Sequence, residues 1–427
     1  MTALSFRDVS PASHPFASAN PHALAIILEA SETKSIIASR DIFDMAGTKL
    51  WAREQPVSQA LQRKLLDRQL RNPLETCLMA EDGVTPHSLV LCTEALLERD
   101  TPLIALLRPH AARLVHEAAY LPLHSVAQLL LTAAQASRAA AFDHAVQAMA
   151  LSGSLMLAQG GNTVDLRAAM LVGLLHDLGE MYIDPQYGEA DAERELDALS
   201  YRQLVVHPHV GQLLLRQLTD YPASLARAVA EHHERLDGTG YPHALQGDAV
   251  SPLGRLLAVA EATLGSLRAE GAELTRASIA LRVVPGEFDL TWVGPVSLGA
   301  RAGPRPQAVG NGAALQDRME RFDDALQAAL DRLGVLAISA ETDGLKGALA
   351  LTQHLLRRLS LGRLASGLWQ ASAVDEADIA EAEAAQAELA YRMQGIQRAA
   401  RLRAGELSAG DAERLDHLCD GLDAVGP

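Results

Sequence analysis

The sequence predicts a mainly α-helical protein, with a helical bundle at its centre, a small α+β domain before it and a further helical region after it. Three observations predict this. Long Ala- and Leu-rich stretches carry apolar residues three and four apart, as helices with one buried face require. Short β-branched, alternating runs are confined to the N-terminal part. Breakers cluster late, with Gly294, Pro295, Gly299, Gly303, Pro304, Pro306, Gly310 and Gly312 in one stretch. At 427 residues the chain exceeds what one core ordinarily fills. The expected divisions are a disordered tail over 1–22, a mixed α/β domain over 23–119, the bundle over 120–292, a Gly/Pro-rich linker over 293–313 and helices over 314–427.

The bulk properties exclude several classes. A formal net charge of −16 opposes binding to a nucleic-acid polymer or an anionic membrane, both of which need a cationic face. Cys77, Cys92 and Cys419 are few and have no metal-ligand spacing, which fits a reducing, cytoplasmic setting. The opening residues lack the cationic start and apolar run of a signal peptide. The most apolar stretch, 121–142, is interrupted by His124, Gln128, Gln135 and Arg138, so no membrane insertion is expected.

Taken in order, β-branched residues from Ser35 and turn residues at Ala46-Gly47-Thr48 predict a hairpin. Ser58 is placed to cap a helix over 58–70 that buries Leu61, Leu65, Leu66 and Leu70, and 74–79 is expected to return as a strand. His87, His110 and His116 are scattered and read as surface residues. A single long helix is expected over 123–159, closed by Gly160-Gly161 and carrying His144. Asn162 starts the next, over 165–178, whose buried run delivers His176 and Asp177 at its end. Helices over 199–218, 224–235 and 252–267 carry His207, the pair His232 and His233, and Glu261. Beyond the linker, Leu315, Met319, Phe322, Leu326, Leu330 and Leu333 recur at helical spacing, and 379–407 is an Ala/Glu-rich helical run. A hairpin packed on the same chain is the expected arrangement, with a dimerising coiled coil as the alternative.

His144, His176, Asp177, His207, His232, His233 and Glu261 therefore lie at or near the ends of separate helices. Any one histidine on a helix is ordinarily a core or surface residue. Seven imidazole and carboxylate groups aimed inward from one bundle are how helical folds hold two borderline cations, with a carboxylate such as Asp177 able to bridge them.

These residues resemble the HD-GYP branch of the HD-domain metal phosphohydrolases, bacterial signalling enzymes that hydrolyse cyclic di-GMP. The resemblance covers 123–292 and rests on His176-Asp177, on His207-Pro208 with Gly211, and on His232-His233-Glu234 through Asp237-Gly238-Thr239-Gly240-Tyr241-Pro242. His144 matches the family's first ligand, and Gly286-Glu287-Phe288-Asp289 resembles the end of the module. The resemblance implies an HD-type bundle, a cyclic dinucleotide as substrate and two divalent transition-metal ions, Fe or Mn in preference to Zn. Cations roughly 3.5 to 4 Å apart would hold a bridging hydroxide and polarise the phosphodiester. Asp177 and His176 are implied as catalytic, and Gly238, Gly240, Tyr241 and Pro242 as a loop that approaches the ligand closely or receives a signalling partner.

Four departures bear on that expectation. Glu261 follows Ala260 where the family has Asp, and Ala140 replaces the Glu of trinuclear members, which predicts a dinuclear site. Glu180 stands for the family's Lys, and Ala269-Glu270-Gly271 occupies the region of its Arg-Pro-Tyr segment. Loss of two cations next to a doubly charged phosphate ligand leaves a second reading open, a module that keeps fold and metals but acts as a regulatory or binding protein. On this reading Glu180→Lys tightens cyclic di-GMP binding roughly ten-fold and leaves metal content unchanged.

Overall fold

The structure is a computed structural model that describes residues 15–184, 204–268, 272–303, 312–365, 376–405 and 407–420. Its centre is formed by helices Ser125–Ser137, Ala139–Ala158, Thr163–Leu175, His207–Leu218, Ala223–Glu231 and Pro252–Ser266. Asn162 caps the third of these by accepting from the amides of Val164 and Asp165. Gly173 lets that helix lie directly on its predecessor, since a Cβ there would stand 2.5 Å from the Ala148 carbonyl oxygen. The sheets are small and N-terminal: Ile36–Ala38 pairs antiparallel with Leu78–Ala80, and Ile42–Phe43 with Lys49–Trp51. The molecule is thus mainly α-helical.

Several boundaries differ from expectation for identifiable reasons. The helix expected over 123–159 is two helices, broken at Arg138, whose φ of −136° and ψ of 62° leave the helical region. Tertiary contacts override propensity there: Ser137 Oγ donates to the Ile26 carbonyl and Arg138 Nη1 to the Glu180 carbonyl, each at 3.3 Å. The helix expected over 58–70 spans only Gln59–Leu65, and Ser58 makes no side-chain cap. The expected return strand begins later, at Leu78, after a 3-10 turn over Leu74–Cys77. The first part of the expected linker, 293–302, is the end of helix Leu290–Ala302, whose Val293 and Val296 are buried and whose Pro295 stands inside it. Packing against the bundle holds that segment despite its breakers. The rest of the stretch, 304–311, lies outside the described residues, as does most of the expected tail.

The N-terminal part does not have a core of its own. One apolar cluster runs from Phe16 to Ala300 and joins it to the bundle. The Asn20 side-chain amide donates to the Tyr182 carbonyl at 3.1 Å, and the Tyr182 hydroxyl donates to buried Glu75 at 2.8 Å. A second cluster holds the C-terminal helices Gly312–Ile338, Asp343–Ala365, Glu376–Ala404 and Ala409–Asp420 together. Ile279, Val283 and Val284 of the bundle belong to that second cluster, so the C-terminal helices pack on their own chain. Among the described residues no helix is long and apolar enough to cross a membrane.

Candidate metal centre

Three histidines reach the centre from helix termini. His176 is the C-terminal cap of Thr163–Leu175, His207 opens His207–Leu218, and His232 caps Ala223–Glu231. Each ring is held the same way: Nδ1 of His176, His207 and His232 lies 2.8, 2.7 and 2.6 Å from the carbonyl oxygens of Gly173, Leu204 and Val229. A carbonyl can only accept, so the proton belongs on Nδ1 and the Nε2 lone pair faces inward. The Nε2 atoms of His207 and His232 are 3.0 Å apart, and those of His144 and His176 are 3.2 Å apart. Lone pairs at that separation repel unless a cation lies between them.

Two groups of ligand atoms result, His144 with His176 and Glu261, and His207 with His232 and His233, each group within 4.8 Å. Asp177 stands between them. Its Oδ2 is 3.1 Å from His176 Nε2 and 3.5 Å from His144 Nε2, while Oδ1 is 3.4 Å from both His207 and His232. That Oδ1 is buried and has no hydrogen-bond partner among the described residues. Glu261 reaches the first group despite its extra methylene, with Oε2 2.9 Å from His144 Nε2 and 3.2 Å from His176 Nε2. The donor set fits two divalent cations sharing Asp177.

The electrostatics demand positive charge at this point. Burial alone would raise the carboxyl of Asp177, but the surrounding imidazoles, His176 foremost, hold it well below the usual range. Burial is likewise outweighed at Glu261, which His144 chiefly holds low. The two carboxylates in turn keep His176 well above its ordinary value against burial. His232 is pushed down to about 3 by burial and by the neighbouring His233, as suits a neutral ligand.

The signature loop is braced from within. Glu234 accepts from the amides of His243 at 2.6 Å and Leu245 at 2.9 Å. A Cβ on Gly240 would collide with the Arg235 amide and the His233 carbonyl, and Gly238 has a φ of +80°. Gly238, Gly240 and the buried Pro242 therefore shape the loop, and the two glycines permit close approach of the chain to itself. Of the four loop residues singled out, Tyr241 lies against a ligand group, its ring stacked on His233 at 4.6 Å and 21°.

One site residue escaped sequence reasoning. Arg268, just past the Glu261 helix, donates to Glu261 Oε1 at 3.1 Å and lines a cavity of about 590 Å³ with Arg99, Thr101, Ala140, His144 and Gln147. It brings a cation to the neighbourhood where the Arg-Pro-Tyr segment is missing. Glu180 is buried and belongs to a third group with Asp177 and His207, so it does not point to solvent. The HD-x-x-E spacing, one tight helical turn, is the signal that placed it there.

Residues 128–281 match the family model of the HD domain. A cyclic di-GMP phosphodiesterase of Pseudomonas aeruginosa is 32% identical over 185 residues, 41% of this chain and 44% of that protein. Two 3'3'-cGAMP-specific phosphodiesterases of Vibrio cholerae are similar: phosphodiesterase 3 is 34% identical over 21% of this chain and 18% of its own length, and phosphodiesterase 1 is 28% identical over 32% and 31%. The chain spans less than half the length of these relatives. Residues 128–281 are therefore an HD-domain region, similar in sequence to cyclic-dinucleotide phosphodiesterases.

Proposed function

We propose that this protein is a metal-dependent phosphodiesterase that hydrolyses cyclic di-GMP at a dinuclear centre. The observation that carries the reading is Asp177, one carboxylate whose two oxygens face two different histidine groups. Bound there, a pair of cations supplies Lewis acidity toward a phosphodiester oxygen and an activated water. The chain's own part is geometric. His144, His176 and Glu261 hold one cation, His207, His232 and His233 the other, and Asp177 sets their separation. The cavity beside His144 is of a size that suits a small nucleotide ligand, and Arg268 on its lining brings charge toward a phosphate, while Arg99 there is paired with Asp143. Tyr241 flanks the other side of the centre through His233.

Fe and Mn suit the mixed nitrogen and oxygen donor set better than a thiolate-loving metal. The second reading, a regulatory module that binds metal without turnover, is favoured by one observation, the carboxylate of Glu180 beside Asp177. The test is protein purified anaerobically with Fe or Mn, assayed for metal content and for turnover of cyclic di-GMP beside 3'3'-cGAMP. About two ions per chain with cyclic di-GMP turnover supports the enzyme. Metal without turnover of either dinucleotide supports the regulatory module, and turnover of 3'3'-cGAMP alone replaces the substrate.

A further inference from the structure

Glu180 occupies a place where a carboxylate is unexpected. It is 4% exposed, and one of its oxygens lies with an Asp177 oxygen and a His207 ring nitrogen inside a 4.8 Å group. The turn that carries it, Leu178–Tyr182, is clamped on the start of helix His207–Leu218. A Cβ on Gly179 would run into the His207 carbonyl oxygen and stand 2.8 Å from the Gly211 amide nitrogen, so only glycine allows this contact. Tyr182 ties the far end of the turn to Asn20 and Glu75. Glu180 is therefore presented inward by rigid backbone.

Resting on the dinuclear reading above, we propose that Glu180 is a ligand of the second cation, completing a site of His207, His232, His233, Asp177 and Glu180. Two oxygens of different carboxylates brought together in a buried pocket repel, and a shared cation is the group that reconciles them. Ligands on opposite sides of one transition-metal ion stand about 4.2 Å apart, with metal–ligand lengths near 2.1 Å. Separations within 4.8 Å are met by a small side-chain adjustment. The Asp177 oxygen on the His207 side is the one with no hydrogen-bond partner among the described residues, which leaves it available to the same ion. Arg138 is the competing explanation, because its guanidinium interacts electrostatically with Glu180 while Nη1 bonds the Glu180 backbone carbonyl.

With Glu180 coordinated, the second site gains a hard oxygen donor and has one position fewer for substrate. That favours Mn or Fe over softer ions and replaces the idea that Glu180 merely repels phosphate. It also reverses the expectation for Glu180→Lys, which now removes a ligand and places an ammonium against the ion.

The experiment is stepwise Mn titration of the apo full-length chain, with elemental analysis after dialysis against a weak chelator. Wild type should retain about two ions, whereas Glu180→Gln and Glu180→Lys should retain about one. Glu180→Gln should weaken the second equivalent at least ten-fold and leave the first unchanged, which reports an intact fold, and Glu180→Asp should fall between. Two ions of unaltered affinity in Glu180→Gln would assign Glu180 to packing beside Arg138 and overturn the proposal alone. A wild type that binds no metal would overturn the dinuclear reading and this proposal together.

Discussion

Asp177 differs from the other candidate ligands in having both of its oxygens engaged, each toward a different histidine group. Its removal should therefore weaken two sites at once. Asp177→Ala is expected to abolish retention of both ions, while His144→Ala should lose the first and keep the second, as read by elemental analysis. Equal losses would mean that Asp177 is an ordinary terminal ligand. Glu261 invites a second comparison. Its Oε2 lies within 3.2 Å of His144 and His176, and its Oε1 is engaged by Arg268. Glu261→Asp should keep metal with weakened affinity because the shorter side chain withdraws from one of these partners, and Glu261→Ala should lose the first ion. Retention of full metal content by the alanine variant would remove Glu261 from the centre.

At the scale of elements, the signature loop is held from outside the bundle by the C-terminal helix Asp343–Ala365. Arg358 Nε donates to Asp237 Oδ2 at 3.2 Å and its Nη2 to the Pro285 carbonyl at 2.5 Å, while His354 Nε2 lies 3.0 Å from the Asp237 carbonyl. The Asp237 side chain is 1% exposed, so loss of its partner strands a buried charge. Arg358→Ala should destabilise the protein by on the order of 1 to 3 kcal/mol and speed amide exchange in the loop around Asp237. Unchanged exchange there would show that the loop is held by Glu234 and Thr239 alone. None of this was legible in the sequence. The clustering of the candidate ligand groups was, because His-Asp, His-Pro and His-His-Glu pairs are local and sit beside recognisable helix ends. Arg358 lies 121 positions from Asp237, and nothing near either residue marks the pair. The break at Arg138 was hidden for the same reason, since it is set by contacts to Ile26 and Glu180 rather than by a proline or glycine.

For the whole molecule, the breakers after Trp292 suggested a boundary, and packing runs across it. The C-terminal helices share a core with Ile279, Val283 and Val284, and a Cβ on Gly362 would stand 3.0 Å from the Val283 carbonyl oxygen, so the helix backbone lies close on that segment. Arg392 adds a polar anchor: Nη2 donates to Glu287 Oε2 at 3.1 Å and to the Ala280 carbonyl at 2.8 Å. Glu287 in turn accepts the Leu236 amide on its backbone carbonyl at 2.9 Å, one residue before Asp237. Asp237 thus takes its cation from the C-terminal helices, and Glu287 shares Arg392 from those helices with Arg235 of the bundle, 3.6 Å away. A chain ending at residue 303 would expose the three apolar side chains and leave Asp237 without Arg358 and Glu287 without Arg392. Stranding Asp237 should cost on the order of 1 to 3 kcal/mol, and the loss of one of the two cations beside Glu287 and of the apolar contacts adds to it, enough to move a denaturation midpoint clearly. The truncated chain is expected to unfold at lower denaturant and to retain less metal than the full-length protein. Identical midpoints and metal content in the two would show that the C-terminal helices rest on the HD domain without supporting it.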